Sequence, residues 1–330
     1  MRQCVLGSSG YASGIVGLGC MSIGGSYGPA DEQEAVRLVR AALDLGVTMF
    51  DTADVYGSGE SERILGAALT GHRKRAIVAT KGGIVRQAGA SVRERGVDNS
   101  PAYLRNAVEA SLRRLRIEQI DIYYIHRRDQ SVPIEDAVGT LTELSAEGKI
   151  KAIGLCEVTP ATLHRAARVA PIATLQSEYS LWARGPEAGP LAACRETGTT
   201  FVAFSPLGRG FLTGTLTSDQ QFNAGDVRLI SPRFESENMR RNNEALAAFK
   251  NLAVRVGCTP AQLALAWVLS RSPRLVTIPG TKRIKYLQEN VAAADVAIDS
   301  AILAEIEEIL PEGFAAGDRY RPEGLVGVEQ

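Results

Sequence analysis

Four side chains of complementary acid–base character stand directly behind three short apolar runs of this 330-residue chain. Asp51 follows the run VTMF (47–50), with Tyr56 in the loop beyond it; Lys81 follows AIVAT (76–80), and His126 follows IDIYYI (120–125). Taken singly, each has an ordinary explanation: an aspartate caps a helix, a tyrosine packs, a lysine is solvated, a histidine is satisfied in a core. Together they describe one reaction, the delivery of a proton to a carbonyl oxygen while a hydride reaches its carbon. A free phenol, with a pKa near 10, is a poor acid at neutral pH, and a neighbouring ammonium lowers that value by favouring the phenolate. Lys81 is the group to act on Tyr56 in this way, and Asp51 the group to hold the ammonium in an ion pair. His126 is suited to donate a hydrogen bond to the carbonyl oxygen and to orient the substrate.

Such a constellation needs elements that bring distant segments to one rim. Eight apolar runs recur along the chain: IVGLG (15–19), VTMF, AIVAT, IDIYYI, IKAIGL (150–155), IATLQ (172–176), TFVAF (200–204) and LVTIP (275–279). They are short, β-branched or aromatic, and show little polar alternation, the pattern of parallel strands buried on both faces. Helical segments with start and stop signals lie between them. Asp31 opens one that closes at Gly46, Ser61 leads another, and Ser100-Pro101, Pro133, Thr159-Pro160 and Thr259-Pro260 open four more. Two further helical stretches, about 242–257 and 299–310, exceed what eight β/α units require. The expectation is a single domain over residues 1–330: a (β/α)8 TIM barrel with an N-terminal β-hairpin and two extra helices. An open, doubly wound sheet is the competing architecture. Its glycine fingerprint fails here, because Gly17 and Gly19 are followed by Ser22 where the third glycine belongs. In a barrel, groups at the C-terminal strand ends share one rim, which is where Asp51, Lys81 and His126 would stand.

Composition removes other function classes. Lys+Arg and Asp+Glu both number 37, so the formal net charge is zero and no basic excess is available for nucleic acid or an anionic membrane. No apolar run approaches the roughly 18–20 residues of a membrane helix, and the N-terminus lacks a signal-peptide pattern, so the expected location is cytoplasmic. The five cysteines are scattered without a CxxC, which speaks against disulfides and zinc. With three histidines, and with His72 and His164 placed on surface segments, no metal cluster is expected. Cys20 and Cys156, at strand ends, read as small buried thiols. No tyrosine has a lysine four residues later, which excludes the reductase class built on YxxxK.

The chain resembles the aldo-keto reductase superfamily over nearly its whole length. The resemblance is carried by GLGCMSIGGSYGP, the D-T-A-x-x-Y-G-x-G-E-S-E run from Asp51 to Glu62, ATKGG, YYIHRRD, EGKIKAIGL, QSEYSLW, FSPLGRGFLTG and IPGTKR followed by Glu289-Asn290. SPLGRGFLTG and EYSLW are most similar to the branch containing potassium-channel β-subunits and microbial and plant reductases. The resemblance implies reduction of aldehyde or ketone carbonyls to alcohols with hydride from NADP(H), NAD(H) being the secondary cofactor. Tyr56 would be the general acid, Lys81 and Asp51 its tuning pair, and His126 the orienting group. Gln176, Cys156 and Glu157 would contact the nicotinamide carboxamide, with Gly19, Met21 and Asp51 beside the ring and Phe204 stacked on it. Ser205, Pro206, Leu207, Gly208 and Gly210 match the loop around the pyrophosphate. Gly280, Thr281 and Lys282, with Arg283, would hold the 2′-phosphate, and Tyr286, Glu289 and Asn290 the adenine.

Two positions depart from the family's pattern. Cys156-Glu157 stands where serine followed by Asn, Arg or Glu is usual, and Tyr286 stands where many relatives carry a phosphate-binding arginine or glutamine. Tyr27, Trp182, the insert at about 209–240 and the tail around Arg319-Tyr320 would line an apolar, aromatic substrate pocket alongside Tyr56 and His126. Xenobiotic carbonyls, sugar aldehydes and terpenoid or alkaloid ketones all fit that description of a small-molecule partner. The rival reading is a cofactor-binding regulatory module like the channel β-subunits; the complete tetrad and the lack of an extra N-terminal segment favour an enzyme.

Overall fold

A computed structural model describes residues 1–85 and 96–329. The chain begins with an antiparallel hairpin, β1 (Gln3–Val5) and β2 (Ala12–Gly14). All eight apolar runs then enter one parallel sheet: β3 (Leu18–Gly19), β4 (Met49–Asp51), β5 (Ile77–Gly82), β8 (Ile120–Ile125), β9 (Ile150–Cys156), β10 (Ile172–Glu178), β11 (Thr200–Phe204) and β12 (Leu275–Thr277). A small antiparallel pair, β6 (Ile84–Val85) and β7 (Gly96–Val97), sits apart from it. The sheet closes on itself. Gly17 N donates to Thr277 O at 2.8 Å and Thr277 N to Ile15 O at 2.9 Å, joining first strand to last. Closure leaves no edge strand, and every residue of β4, β5, β8 and β10 is buried, which is why these runs show no polar alternation. The hairpin covers the floor: Gly7 lies so close to the start of β10 that a Cβ there would meet Ala173 O at 2.3 Å.

The barrel helices are α1 (Glu32–Asp44), α2 (Glu60–Leu69), α3 (Pro101–Leu115), α4 (Ile134–Ala146), α5 (Pro160–Val169) and α6 (Pro190–Thr197), followed by α8 (Pro260–Ser270) and α9 (Ile284–Ala292). The two additional helices are α7 (Ser236–Val256) and α10 (Ser300–Ile309). Caps form as their sequences require: Asp31 accepts from Glu34 N, Ser100 from Tyr103 N, Thr159 from Thr162 N, and Thr259 shares a full capping box with Gln262. Ser61 is an exception. α2 starts two residues earlier, behind Gly59 at φ 94°, and the Ser61 hydroxyl instead accepts from Thr52 and donates to Cys20 O, both at 2.8 Å, pinning α2 to two strand ends. α7 also begins earlier than its pattern suggests, because its polar first turns carry only Met239 inward ahead of Asn242. Among the described residues, no single helix is long and apolar enough to cross a membrane.

Candidate active site

Asp51 ends β4, Lys81 is the penultimate residue of β5, and His126 follows β8, so three neighbouring strands deliver them to one rim. The turn after β4, closed by Tyr56 N donating to Ala53 O at 3.2 Å, brings the phenol over them. The ammonium of Lys81, wholly buried, pairs with Asp51 Oδ1, donates to Thr52 O at 2.7 Å and reaches Tyr56 Oη at 3.5 Å. Gln176 Nε2 donates to the other Asp51 oxygen at 2.7 Å, so both carboxylate oxygens are engaged. The Tyr56 and His126 rings meet edge to face, with centroids 5.9 Å apart. His126 is set in place by its backbone N, which donates to Gly82 O at 2.8 Å.

The electrostatics follow from this enclosure. Burial works against the Lys81 ammonium, but the charge of Asp51, its hydrogen bond and the neighbouring Tyr56 together offset it, and its pKa lies above the ordinary lysine value. Burial raises the Asp51 carboxyl, with Lys81 and Gln176 drawing it back. For Tyr56, burial dominates and pushes the phenol up to about 12, with Lys81 pulling it down and Asp51 pushing it up. The sequence-based expectation of a net lowering is thus corrected: Lys81 acts in the expected direction, but loss of solvent around the phenol is the larger effect. At neutral pH Tyr56 keeps its proton.

Two adjoining clefts open from this centre. The longer one runs from Gly19, Met21 and Asp51 past Phe204 at the end of β11 to α9. Its middle is formed by Ser205, Pro206, Leu207 and Gly210, and its far end by Gly280, Thr281, Lys282, Tyr286, Glu289 and Asn290. The chain bends around it through a run of positive φ at Ser205, Gly208, Arg209 and Gly210, a winding that exposes backbone groups to a ligand. Gly208 itself lies beneath the wall, its Cα so close to Trp182 that a Cβ would stand 2.7 Å from the indole. Cys156 and Gln176 line the second cleft, together with Tyr27, Tyr56 and His126.

Three expected residues are placed differently. Glu157 lines neither cleft; at φ 57° it turns to accept from Glu178 N at 2.8 Å and to pair with Arg319 at 2.6 Å. Trp182 is 3% exposed and stacked on Phe211 with centroids 4.0 Å apart, a core residue supporting the loop at 208–213. Lys282 borders the long cleft but gives its ammonium to Tyr27 O, Gly28 O and Pro29 O at 2.8, 2.9 and 2.9 Å. Among the described residues, Arg283 and Lys285 border this rim without such commitments, both exposed. Two further arginines were not singled out from the sequence. Arg209 borders both clefts and Arg127 borders the second; each sits inside a motif, PLGRG and YIHRRD, in which neighbours drew the reading.

The geometry has counterparts among known proteins. Residues 15–311 match the model of the aldo/keto reductase family. Aldo-keto reductase 1 of Glycine max is 42% identical over 317 residues, covering 96% of this chain and 90% of its own. The NADP(+) aldo-keto reductase yakc of Schizosaccharomyces pombe is 40% identical, covering 93% and 91%. Among solved structures, a glycerol dehydrogenase from Gluconobacter oxydans superposes with a TM-score of 0.85 at 31% identity, covering 97% of this chain and 98% of that one. An aldo-keto reductase from Klebsiella pneumoniae in complex with NADPH gives 0.74 at 28% identity, covering 97% and 99%.

Proposed function

The chain belongs to the aldo/keto reductase family, and from that premise we propose that it reduces aldehyde and ketone carbonyls to alcohols with NADPH, Tyr56 acting as general acid. The observation that carries this reading is the buried Asp51–Lys81 pair reaching the half-buried Tyr56 beside His126, at the junction of a long cleft and a second, aromatic one. The cofactor assignment is supported by the NADP named with the fission-yeast relative and the NADPH held in the Klebsiella structure. The cleft residues suit such a dinucleotide: Phe204 as a stacking surface, the loop at 205–210 around the pyrophosphate, Arg283 and Lys285 near the 2′-phosphate, and Glu289 and Asn290 at the adenine end. When bound, the nicotinamide supplies hydride to the carbonyl carbon.

The chain's own groups do the rest. Tyr56 Oη holds the proton that passes to the carbonyl oxygen. Lys81 stabilises the phenolate this leaves, in an enclosed site where a nearby charge acts strongly. Asp51 and Gln176 fix the ammonium, and His126 orients the carbonyl. Steady-state NADPH oxidation against a panel of small aldehydes tests the reading, with turnover expected. A chain that holds cofactor for minutes while no carbonyl accelerates its oxidation would contradict it.

A further inference from the structure

The second cleft carries an unbalanced positive charge, although the chain as a whole is neutral. Four arginines stand in or behind its wall, Arg127, Arg209, Arg233 and Arg319, against two buried carboxylates, Glu157 and Glu178. Arg319 bridges both carboxylates at 2.6 Å. Arg209 reaches Glu178 only at 3.7 Å and otherwise lies over the Tyr320 ring. Arg233 gives a hydrogen bond to Trp182 O at 2.5 Å, and its pKa is lowered by burial and by repulsion from Arg319 and Arg209. At the outer rim exposed Arg321 pairs with Glu235, and exposed Glu323 adds one carboxylate to the lining, which still leaves the arginines in excess.

Arg127 is the most telling of these. It is 5% exposed, follows His126 directly, and borders the cleft beside Tyr56 and Cys156. Its Nη1 donates to His126 O at 3.1 Å and to Cys156 Sγ at 3.5 Å, while its Nε is enclosed without a partner. Among the described residues no carboxylate forms an ion pair with it; Arg128, its neighbour, has Glu329. Leaving a buried donor unmet costs about 1–3 kcal/mol. Burial also works against the charge itself, which Cys156 and Glu157 favour without forming an ion pair, holding the guanidinium pKa above the ordinary arginine value. A wall built this way offers differential binding to an anion.

Resting on the carbonyl-reducing reading above, we propose that this pocket selects carbonyl substrates carrying a carboxylate, which Arg127 receives with Arg209 lining the same cleft. The proximity of Arg127 to His126 and Cys156 keeps the carboxylate close to the reacting carbonyl, so the class is short oxoacids. Carbonyl and carboxylate are then gripped by separate groups, which orients the substrate as well as binding it.

The test compares 4-oxobutanoate with its methyl ester, which keeps the length and removes the charge. In the wild type, kcat/KM for the acid should exceed that for the ester by at least ~10-fold, and Arg127→Met should cut that ratio ~10- to 100-fold, mainly through KM, as loss of a charge-assisted contact does. Arg127→Lys should recover part of it, and Arg209→Met should move the ratio the same way. An ester reduced as well as the acid overturns the proposal and leaves carbonyl reduction standing. Should neither be reduced, the aldehyde panel decides on carbonyl reduction separately, and calorimetry decides on the carboxylate site alone. 4-hydroxybutanoate binding to the NADP+-saturated wild type but not to Arg127→Met upholds the site; equal binding or none to either overturns it.

Discussion

Lys81 and Lys282 each direct an ammonium at three oxygen acceptors, and the two surroundings give the same side chain opposite roles. Lys81 meets a carboxylate, a carbonyl and a phenol inside the barrel mouth, on a strand held by neighbours on both sides. Lys282 meets three successive carbonyls, in the loop after β12, where it is partly exposed. Burial against the Asp51 charge leaves Lys81 with a raised pKa; burial dominates at Lys282, and its pKa falls below the ordinary value. A lysine paired to a carboxylate beside a phenol tunes a titration. A lysine on carbonyls is a staple: it ties the loop after β12 to residues 27–29, where Tyr27 borders both clefts.

The comparison breaks most easily at Tyr56. Tyr56→Phe keeps the ring and removes the proton donor, so carbonyl reduction should fall ~10²- to 10⁴-fold with NADPH affinity nearly unchanged; near-normal turnover in stopped-flow or steady-state assays would remove Tyr56 from the mechanism. A smaller effect sharpens the contrast at the other lysine. If the 2′-phosphate is met by Arg283, Arg283→Ala should weaken NADPH ~10- to 100-fold while leaving NADH nearly untouched, in line with about 1.5–3 kcal/mol for a charge-assisted contact. Lys282→Met should instead weaken both cofactors to a similar, smaller extent, by freeing residues 27–29. Fluorescence titrations with the two nucleotides read the difference, and a loss confined to NADPH in Lys282→Met would make that lysine the phosphate ligand after all.

The smallest expected effect lies beside Tyr56, in the turn after β4. Asp54, with Oδ1 enclosed and unpartnered, has its carboxyl raised to about 7 by burial and then by the charge of Glu62. A carboxyl whose folded pKa lies above its unfolded value, about 3.9, contributes stability that is complete below pH 4 and is lost as pH rises through 7. Asp54→Asn does not titrate, so its melting temperature should gain on the wild type between about pH 4 and 7 and level off above. A constant difference across that range would assign the site another cause.

These contrasts also explain what could be read from residues alone. The barrel was legible because buried parallel strands leave uninterrupted apolar runs, and the position just past each run then locates Asp51, Lys81 and His126. The net pKa of Tyr56 was not, because it depends on how completely the neighbouring segments, distant in sequence, exclude water from the phenol. Trp182, Glu157 and Lys282 sit in loops, where a side chain's direction is set by partners distant in sequence: Phe211 for the indole, Arg319 for the carboxylate, residues 27–29 for the ammonium. Arg127 shares a motif with His126, yet that no carboxylate among the described residues pairs with it is set by segments distant in sequence, where Glu157 and Glu178 pair with Arg319.

The role of Lys81 as the group that lowers the phenol against its burial is tested most directly by the pH dependence of NADP+-linked alcohol oxidation, in which Tyr56 must act as a base. Raised by burial to about 12, the phenol gives up its proton only at alkaline pH, so log kcat/KM should climb with pH in the wild type. In Lys81→Met the bend toward the alkaline plateau should move to higher pH, whereas Asp51→Asn, which leaves the ammonium in place but unanchored, should lower the rate with little displacement. A Lys81→Met enzyme that is slower at every pH but bends at the wild-type position would show that Lys81 only supports the structure around Tyr56.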